Sequence, residues 1–309
     1  MGPAVALPPG GRAWDLGFTV EARDGVSLRC AVWTGGERGL VLLLSGRTEF
    51  LEKMTVPAAS LVERGFSVAS LDWRGQGLSD RVGEPAIMGH VHDFTDYHLD
   101  LEAFCEAPEL AHLTGPQIML AHSMGGAIGL GAVHRRIIRP KAAVFSAPML
   151  GVQMSGMLRF ASNAVIKGAK LLGRMDRRPP FGNVDKAYVF EGFENNVLTH
   201  DRAVFDWMVE ALTERPRLQL ASPSIRWFDA AFREMAWLAA QPAPDLPSLF
   251  MRGGAEGVVD PKAMAKAAEV LGAELVVIPE ARHEVLIELP EMREQAWKAI
   301  DRFLAAQGI

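Results

Sequence analysis

Short apolar runs alternate along the chain with longer stretches whose apolar positions recur every three or four residues. GLVLLLSG (39–46), FSVASLDWRG (66–75), QIMLAHS (117–123), AAVFSAP (142–148), SLFMRGG (248–254) and ELVVIP (274–279) are of the first kind. Strands buried on both faces read as such continuous runs, because neither face meets water. Helical spacing covers stretches near 57–64, 94–107, 124–138, 261–271 and 290–306. FTVEARDGVSLRCAVW (18–33) reads as two strands turning at Asp24-Gly25, a hairpin signal. Strands alternating with helices predict an α/β fold around a mostly parallel sheet flanked by helices. Ligands of such sheets gather at the carboxyl ends of the strands.

The alternation lapses between about Met149 and Ala240, where Met, Phe, Arg and Trp recur with helical spacing and no strong strand appears. This predicts a helical cap over 149–242, inserted between two parts of one core, 1–148 and 243–309. MLRFASNAVIKGAKLLGRMDRR (157–178) joins an apolar face to Arg159, Lys167, Lys170, Arg174, Arg177 and Arg178. One reading is a helix packed on the core with a solvated basic edge. The other is a surface that meets anionic lipid.

Composition narrows the class. The 309 residues carry a net charge of −5 and are 49% hydrophobic, with no basic stripe to suggest nucleic acid. Cys30 and Cys105 cannot build a disulfide framework, which fits a reducing compartment. No segment has the roughly 20 apolar residues of a membrane span. The prolines and glycines of MGPAVALPPGG do not suit a signal peptide. A cytoplasmic protein is expected, with peripheral membrane contact through the cap as the second reading.

Candidate chemistry centres on LAHSMGG (120–126). It nearly fits G-x-S-x-G, in which a serine leaves a strand and starts a helix, with small neighbours where the two pack closely. Ala121 replaces the first glycine. An ordinary serine hydroxyl is a poor nucleophile and needs a base. Of the histidines after Ser123, His134 falls in the next helix and His200 in the cap. His283, in ARHEVLIE, follows the last apolar strand and is the candidate base. Two acids follow the preceding strand in EGVVDP. Asp260 stands before Pro261, a standard helix start. Glu256 sits in the loop, free to orient an imidazole, and is favoured, with Asp260 as the alternative acid. The main-chain N–H groups of Met124 and Arg47 are candidates for an oxyanion hole. Asp72 in DWRGQGLSD reads as a structural turn, and the histidines of HVHDFTDYH (90–98) lack zinc-ligand spacing.

With these residues assembled, the chain resembles the α/β-hydrolase family, in the branch of bacterial lysophospholipases and monoacylglycerol lipases. The resemblance covers nearly the whole chain, through SGRTEFLEK, RGFSVASLDWRGQGLSDR, GHVHDFTDYHLDL, LAHSMGG, FSAPMLG, NVLTHD and ARHEVLIE. Glu256 stands where that family usually has aspartate. The resemblance implies a serine hydrolase that cleaves single-chain lipid esters through an acyl-enzyme, with no metal or organic cofactor. The guanidinium of Arg47, beside the oxyanion loop, suits a lipid phosphate. The alternatives are a small-molecule carboxylesterase and a lipid-binding protein without catalysis on the same fold.

Overall fold

The computed structural model describes residues 1–180 and 186–309. β1 (Leu16–Glu21) and β2 (Ser27–Trp33) form the antiparallel hairpin expected at Asp24-Gly25. Gly25 takes a positive φ there, +83°, which glycine adopts without steric cost. β3 (Leu40–Leu44), β4 (Ser67–Leu71), β5 (Gln117–His122), β6 (Ala142–Ser146), β7 (Ser248–Gly253) and β8 (Glu274–Ile278) follow. Together they make one eight-stranded sheet in the order β1-β2-β4-β3-β5-β6-β7-β8. From β4 to β8 every pairing is parallel; β2 meets β4 antiparallel.

Each central strand is buried on both sides. In β3, Leu40, Leu42 and Leu44 enter one core with Phe104 and Ile128, while Val41 and Leu43 enter another with Met54 and Ile300. The first core packs α2 (Asp96–Cys105), α3 (Met124–His134) and α7 (Pro261–Val270) against the sheet. The second packs α1 (Leu51–Glu63) and α8 (Pro290–Ala306) against the opposite face. Alternation of side chains across each strand explains why a continuous apolar run feeds two cores.

One helix differs from its sequence expectation. The spacing predicts a start near Pro57, a favoured first-turn residue, but α1 begins at Leu51 and carries Pro57 inside it. The N–H of Leu51 donates to Asp72 Oδ1 at 2.8 Å, so a carboxylate 21 positions away anchors the first turn. Local sequence carries no mark of such a distant partner.

Between β6 and β7 lie α4 (Gly156–Leu171), α5 (Arg202–Glu214) and α6 (Ile225–Leu238). Single β-bridges, Val152 to Val259 and Gly89 to Pro223, join this stretch to the rest of the chain. Among the described residues, no helix is long and apolar enough to cross a membrane. β3 has β4 on one side and β5 on the other, so the order of strands reverses at β3. A crevice outside the carboxyl ends of strands is expected at such a reversal. The loops that leave β3 and β5 there carry Arg47 and Ser123.

Candidate active site

Ser123 joins β5 to α3 with φ +51° and ψ −118°, a conformation L-residues seldom take. Close packing over-determines this strained turn. A Cβ on Gly125 would lie 2.4 Å from the Leu44 carbonyl oxygen, and one on Gly126 would lie 2.5 Å from Pro148 Cβ. Neither position admits a side chain without movement of its neighbours. Ala121 belongs to β5 and is fully buried, so its methyl group fills space in the first core.

His283 follows β8, and its Nε2 stands 3.0 Å from Ser123 Oγ. Its Nδ1 faces Glu256, 2.9 Å from Oε2 and 3.1 Å from Oε1. With Nδ1–H donating to the carboxylate, Nε2 is left as the acceptor for the serine proton. Glu256 also accepts the N–H groups of Val258 and Val259, at 2.7 and 3.1 Å. Burial opposes its charge, but the bond and electrostatic attraction from His283 and these two N–H groups outweigh burial. They hold the carboxyl below its ordinary range. Asp260 instead caps α7, accepting from the N–H of Lys262 at 2.9 Å and of Ala263 at 3.4 Å. The structure thus brings Ser123, His283 and Glu256 together and leaves Asp260 at a helix start.

The loop after β3 comes close to the serine because Gly46 has no side chain. A Cβ there would stand 2.9 Å from Ser123 Cβ. Trp73 Nε1 donates to the Ser45 carbonyl at 2.9 Å, and Gln76 Nε2 donates to that of Gly46 at 2.8 Å, which hold the loop. The main-chain N–H groups of Arg47 and Met124 donate to no other described residue. Unpaired donors beside a nucleophile are what an oxyanion requires.

Four charged groups behind this site were not read as a unit from the sequence. Lys53 Nζ lies 2.8 Å from Glu49 Oε1 and 2.5 Å from Glu284 Oε1, and all three residues are buried. Glu49 also accepts the N–H of Gly46, which ties the network to the loop after β3. His122 points Nδ1 at the Ser146 carbonyl, 3.0 Å away, and Nε2 at Glu284, 3.3 Å away. Both ring nitrogens face acceptors, which favours the doubly protonated imidazolium. Burial alone would push this imidazole down, but Glu284 and Glu49 raise it to about 8. The ligand atoms of Glu49, His122 and Glu284 lie within 4.8 Å of one another, a spacing a metal ion could use, but the ammonium of Lys53 stands where the cation would. The signal was present in the motifs: Glu49 and Lys53 are four apart in SGRTEFLEK, and His122 and Glu284 adjoin Ser123 and His283.

Two further sequence candidates have structural partners. Asp72 accepts Arg29 Nε at 2.7 Å and the Leu78 N–H at 2.8 Å, besides that of Leu51, as a turn-building carboxylate does. In the 90–98 stretch, His90 bonds Ser224 Oγ and His98 the carbonyl of Ile128, so these two imidazoles serve different contacts.

Ser123 and His283 open on a cavity of about 400 Å³. Its lining is mainly apolar, with Phe50 from the loop before α1 and Met149, Met208, Leu212, Trp227 and Phe228 from the stretch between β6 and β7. A narrow apolar cavity ending at a serine–histidine pair can hold an acyl chain with its carbonyl at the serine.

The chain is similar to known proteins in sequence and in fold. The sequence pattern of a family described as serine aminopeptidase, S33, matches residues 35–290. Lysophospholipase L2 of Escherichia coli (strain K12) is 30% identical over 273 residues, covering 85% of this chain and 79% of the relative. A probable lysophospholipase L2 of Haemophilus influenzae is 29% identical, covering 88% and 85%. Among solved structures, a soluble variant of monoglyceride lipase from Saccharomyces cerevisiae, in complex with a substrate analog, superposes with a TM-score of 0.71. It is 21% identical and covers 94% of this chain and 97% of its own. That last likeness concerns the fold.

Proposed function

The chain belongs to the serine aminopeptidase S33 family of serine hydrolases, on the α/β-hydrolase fold, and from that premise we propose that it cleaves the carboxylic ester of a single-chain lipid, with Ser123 as nucleophile. Ser123 Oγ attacks the acyl carbonyl while His283 Nε2 takes its proton. Glu256 holds the imidazole's tautomer and stabilises the imidazolium. The N–H groups of Arg47 and Met124 receive the oxyanion, each such donor contributing about 3 kcal/mol in the transition state. His283 passes the proton to the leaving alcohol, then activates the water that releases the fatty acid.

The observation that carries the choice of bond is the charge in the cavity. A site for a peptide's free amino terminus needs an unpaired carboxylate. Glu284, the carboxylate among the lining residues, is already paired with Lys53 and His122, and Glu256 behind His283 is taken up by the imidazole Nδ1–H. The lining is apolar, and the curated relatives described above are named lysophospholipases. These favour a lipid ester over an amide.

The stretch over 149–242, which contributes much of the cavity's lining, serves as the cap. On α4, only a narrow stripe of Ser162, Ile166 and Ala169 is buried, while Met157, Phe160 and Leu171, and Leu172 just after the helix, are exposed beside Arg159 and Lys167. Exposed apolar side chains among basic ones support peripheral contact with anionic lipid.

The test is labelling with a fluorophosphonate probe together with hydrolysis of monoacyl esters of graded chain length. Wild type should label and prefer long chains; Ser123→Ala should lose labelling and about 10⁵- to 10⁶-fold in kcat. Preference for short chains would make it a small-molecule esterase. An unlabelled, folded, inactive wild type would make it a binding protein.

A further inference from the structure

The fully buried arginines and lysine among the described residues pair with carboxylates, whereas the partly buried Arg47 of the cavity, like Arg81 and Arg252 elsewhere, bonds a main-chain carbonyl. Arg29 reaches Glu52 and Asp72, Arg74 reaches Asp24 and Asp100, and Lys53 reaches Glu49 and Glu284. Arg47 has no carboxylate partner among the described residues, yet it lines the same cavity as Ser123 and His283. A guanidinium offers five N–H donors. One nitrogen, Nη2, donates to the carbonyl of Ala221, and the group lies over the Trp227 ring, 5.4 Å from its centroid. Nε is buried with no partner among the described residues. The group packs on Gly89, where a Cβ would stand 2.8 Å from Nη2. Leaving such donors unmade costs free energy that a bound acceptor would recover. Burial pulls the guanidinium down to about 10, so it keeps its charge at neutral pH.

We propose that the Arg47 side chain is a phosphate subsite of the catalytic cavity, so that the ester cleaved at Ser123 belongs to a lysophospholipid in preference to a neutral monoacylglycerol. This rests on Ser123 being the nucleophile. The reach fits. In an extended lysophospholipid the phosphorus lies about 7 Å from the scissile carbonyl carbon, and an arginine stem spans about 6 Å from Cα to its guanidinium carbon, on ordinary bond lengths. Arg47 adjoins Gly46, whose backbone packs against Ser123. One residue thus offers its main-chain N–H to the reacting carbonyl and its side chain to a charge further along the glycerol. The planar fork suits two phosphate oxygens at once. The competing account is that Arg47 only ties the loop after β3 to Ala221 and Trp227.

The test uses a pair of substrates that differ only in phosphate, 1-octanoylglycerol and 1-octanoylglycerol 3-phosphate, below their micelle concentrations. With Arg47→Met, kcat/KM for the phosphate ester should fall about 10- to 100-fold further than for the neutral ester, the range expected for a charged hydrogen bond. Most of that extra loss should appear in KM, and Arg47→Lys should recover part of it. Equal losses on both esters would overturn the subsite and leave the structural tie. A variant that does not fold leaves the wild-type arm. There, glycerol 3-phosphate should compete against the neutral ester while glycerol should not. No competition, or equal competition by inorganic phosphate, would overturn a lipid phosphate site. Ser123→Ala run on both esters keeps the two readings apart. If it still cleaves, the nucleophile assignment fails; if it is dead while the Arg47→Met ratio stays unmoved, only the subsite fails.

Discussion

Lys53 and Arg47 lie six positions apart on the same loop-and-helix segment, and both line the cavity onto which Ser123 and His283 open, yet they keep opposite company. Lys53 is held between Glu49 and Glu284, with His122 completing the group. Arg47 has a carbonyl and an indole ring. Burying a charge is costly, and a partner with good geometry offsets that cost. The wall around Lys53 is therefore complete in the free protein. It links the loop after β3, through Gly46, to the serine strand and the histidine loop. The wall around Arg47 is incomplete, and an incomplete polar site is what a ligand can fill. The contrast separates a scaffold charge from a recognition charge, although both are cations on one short segment.

Breaking the paired charge that faces His283 should have the largest effect of the substitutions that probe this contrast. Glu256→Gln keeps the shape but no longer fixes the His283 tautomer, and kcat should fall about 10³- to 10⁴-fold in steady-state ester hydrolysis. An unchanged kcat would return the acid's role to Asp260. Removing the central cation comes next. Lys53→Met leaves Glu49 and Glu284 buried without their partner and should cost about 3–5 kcal/mol in urea unfolding. A loss below 1 kcal/mol would mean that the network does not hold the loops.

The pH response sharpens the same wall. An ordinary histidine titrates near 6.5, and His122 is raised to about 8 in the folded protein. A raised pKa contributes stability that is full below about pH 6.5 and is lost as pH climbs through about 8. The unfolding free energy measured in urea should therefore drop between pH 6.5 and 8.5, by an amount on the order of 2 kcal/mol, and His122→Gln should lack that drop. Asp260→Ala should cost only about 1 kcal/mol, the usual value of a helix cap, with ester turnover near wild type. The smallest effect is reserved for the unpaired wall. Arg47→Met should change unfolding free energy by less than about 1 kcal/mol, because lost packing on Trp227 is offset by relief of a desolvated charge. A loss as large as that of Lys53→Met would erase the contrast.

Much of the fold could be read from one dimension. The apolar runs of β3 to β8 and the hairpin at Asp24-Gly25 are local signals, since a strand buried on both faces or a glycine turn imposes its own pattern. The same holds for Ser123, because a strand-to-helix elbow demands small neighbours within three positions, and for the order of serine, acid and histidine along the chain. Glu256 and Asp260 were separable as candidates because a proline after an aspartate marks a helix start.

Tertiary structure alone decided which charges meet. Lys53 and Glu284 are separated by 231 positions, and Arg47 and the Ala221 carbonyl by 174. The start of α1 depends on Asp72 in the same way. Local periodicity records how a segment buries its own face. It carries no record of which distant group supplies a counter-charge, and none of the place where a counter-charge is missing, because that is set only when loops from different strands close on one cavity.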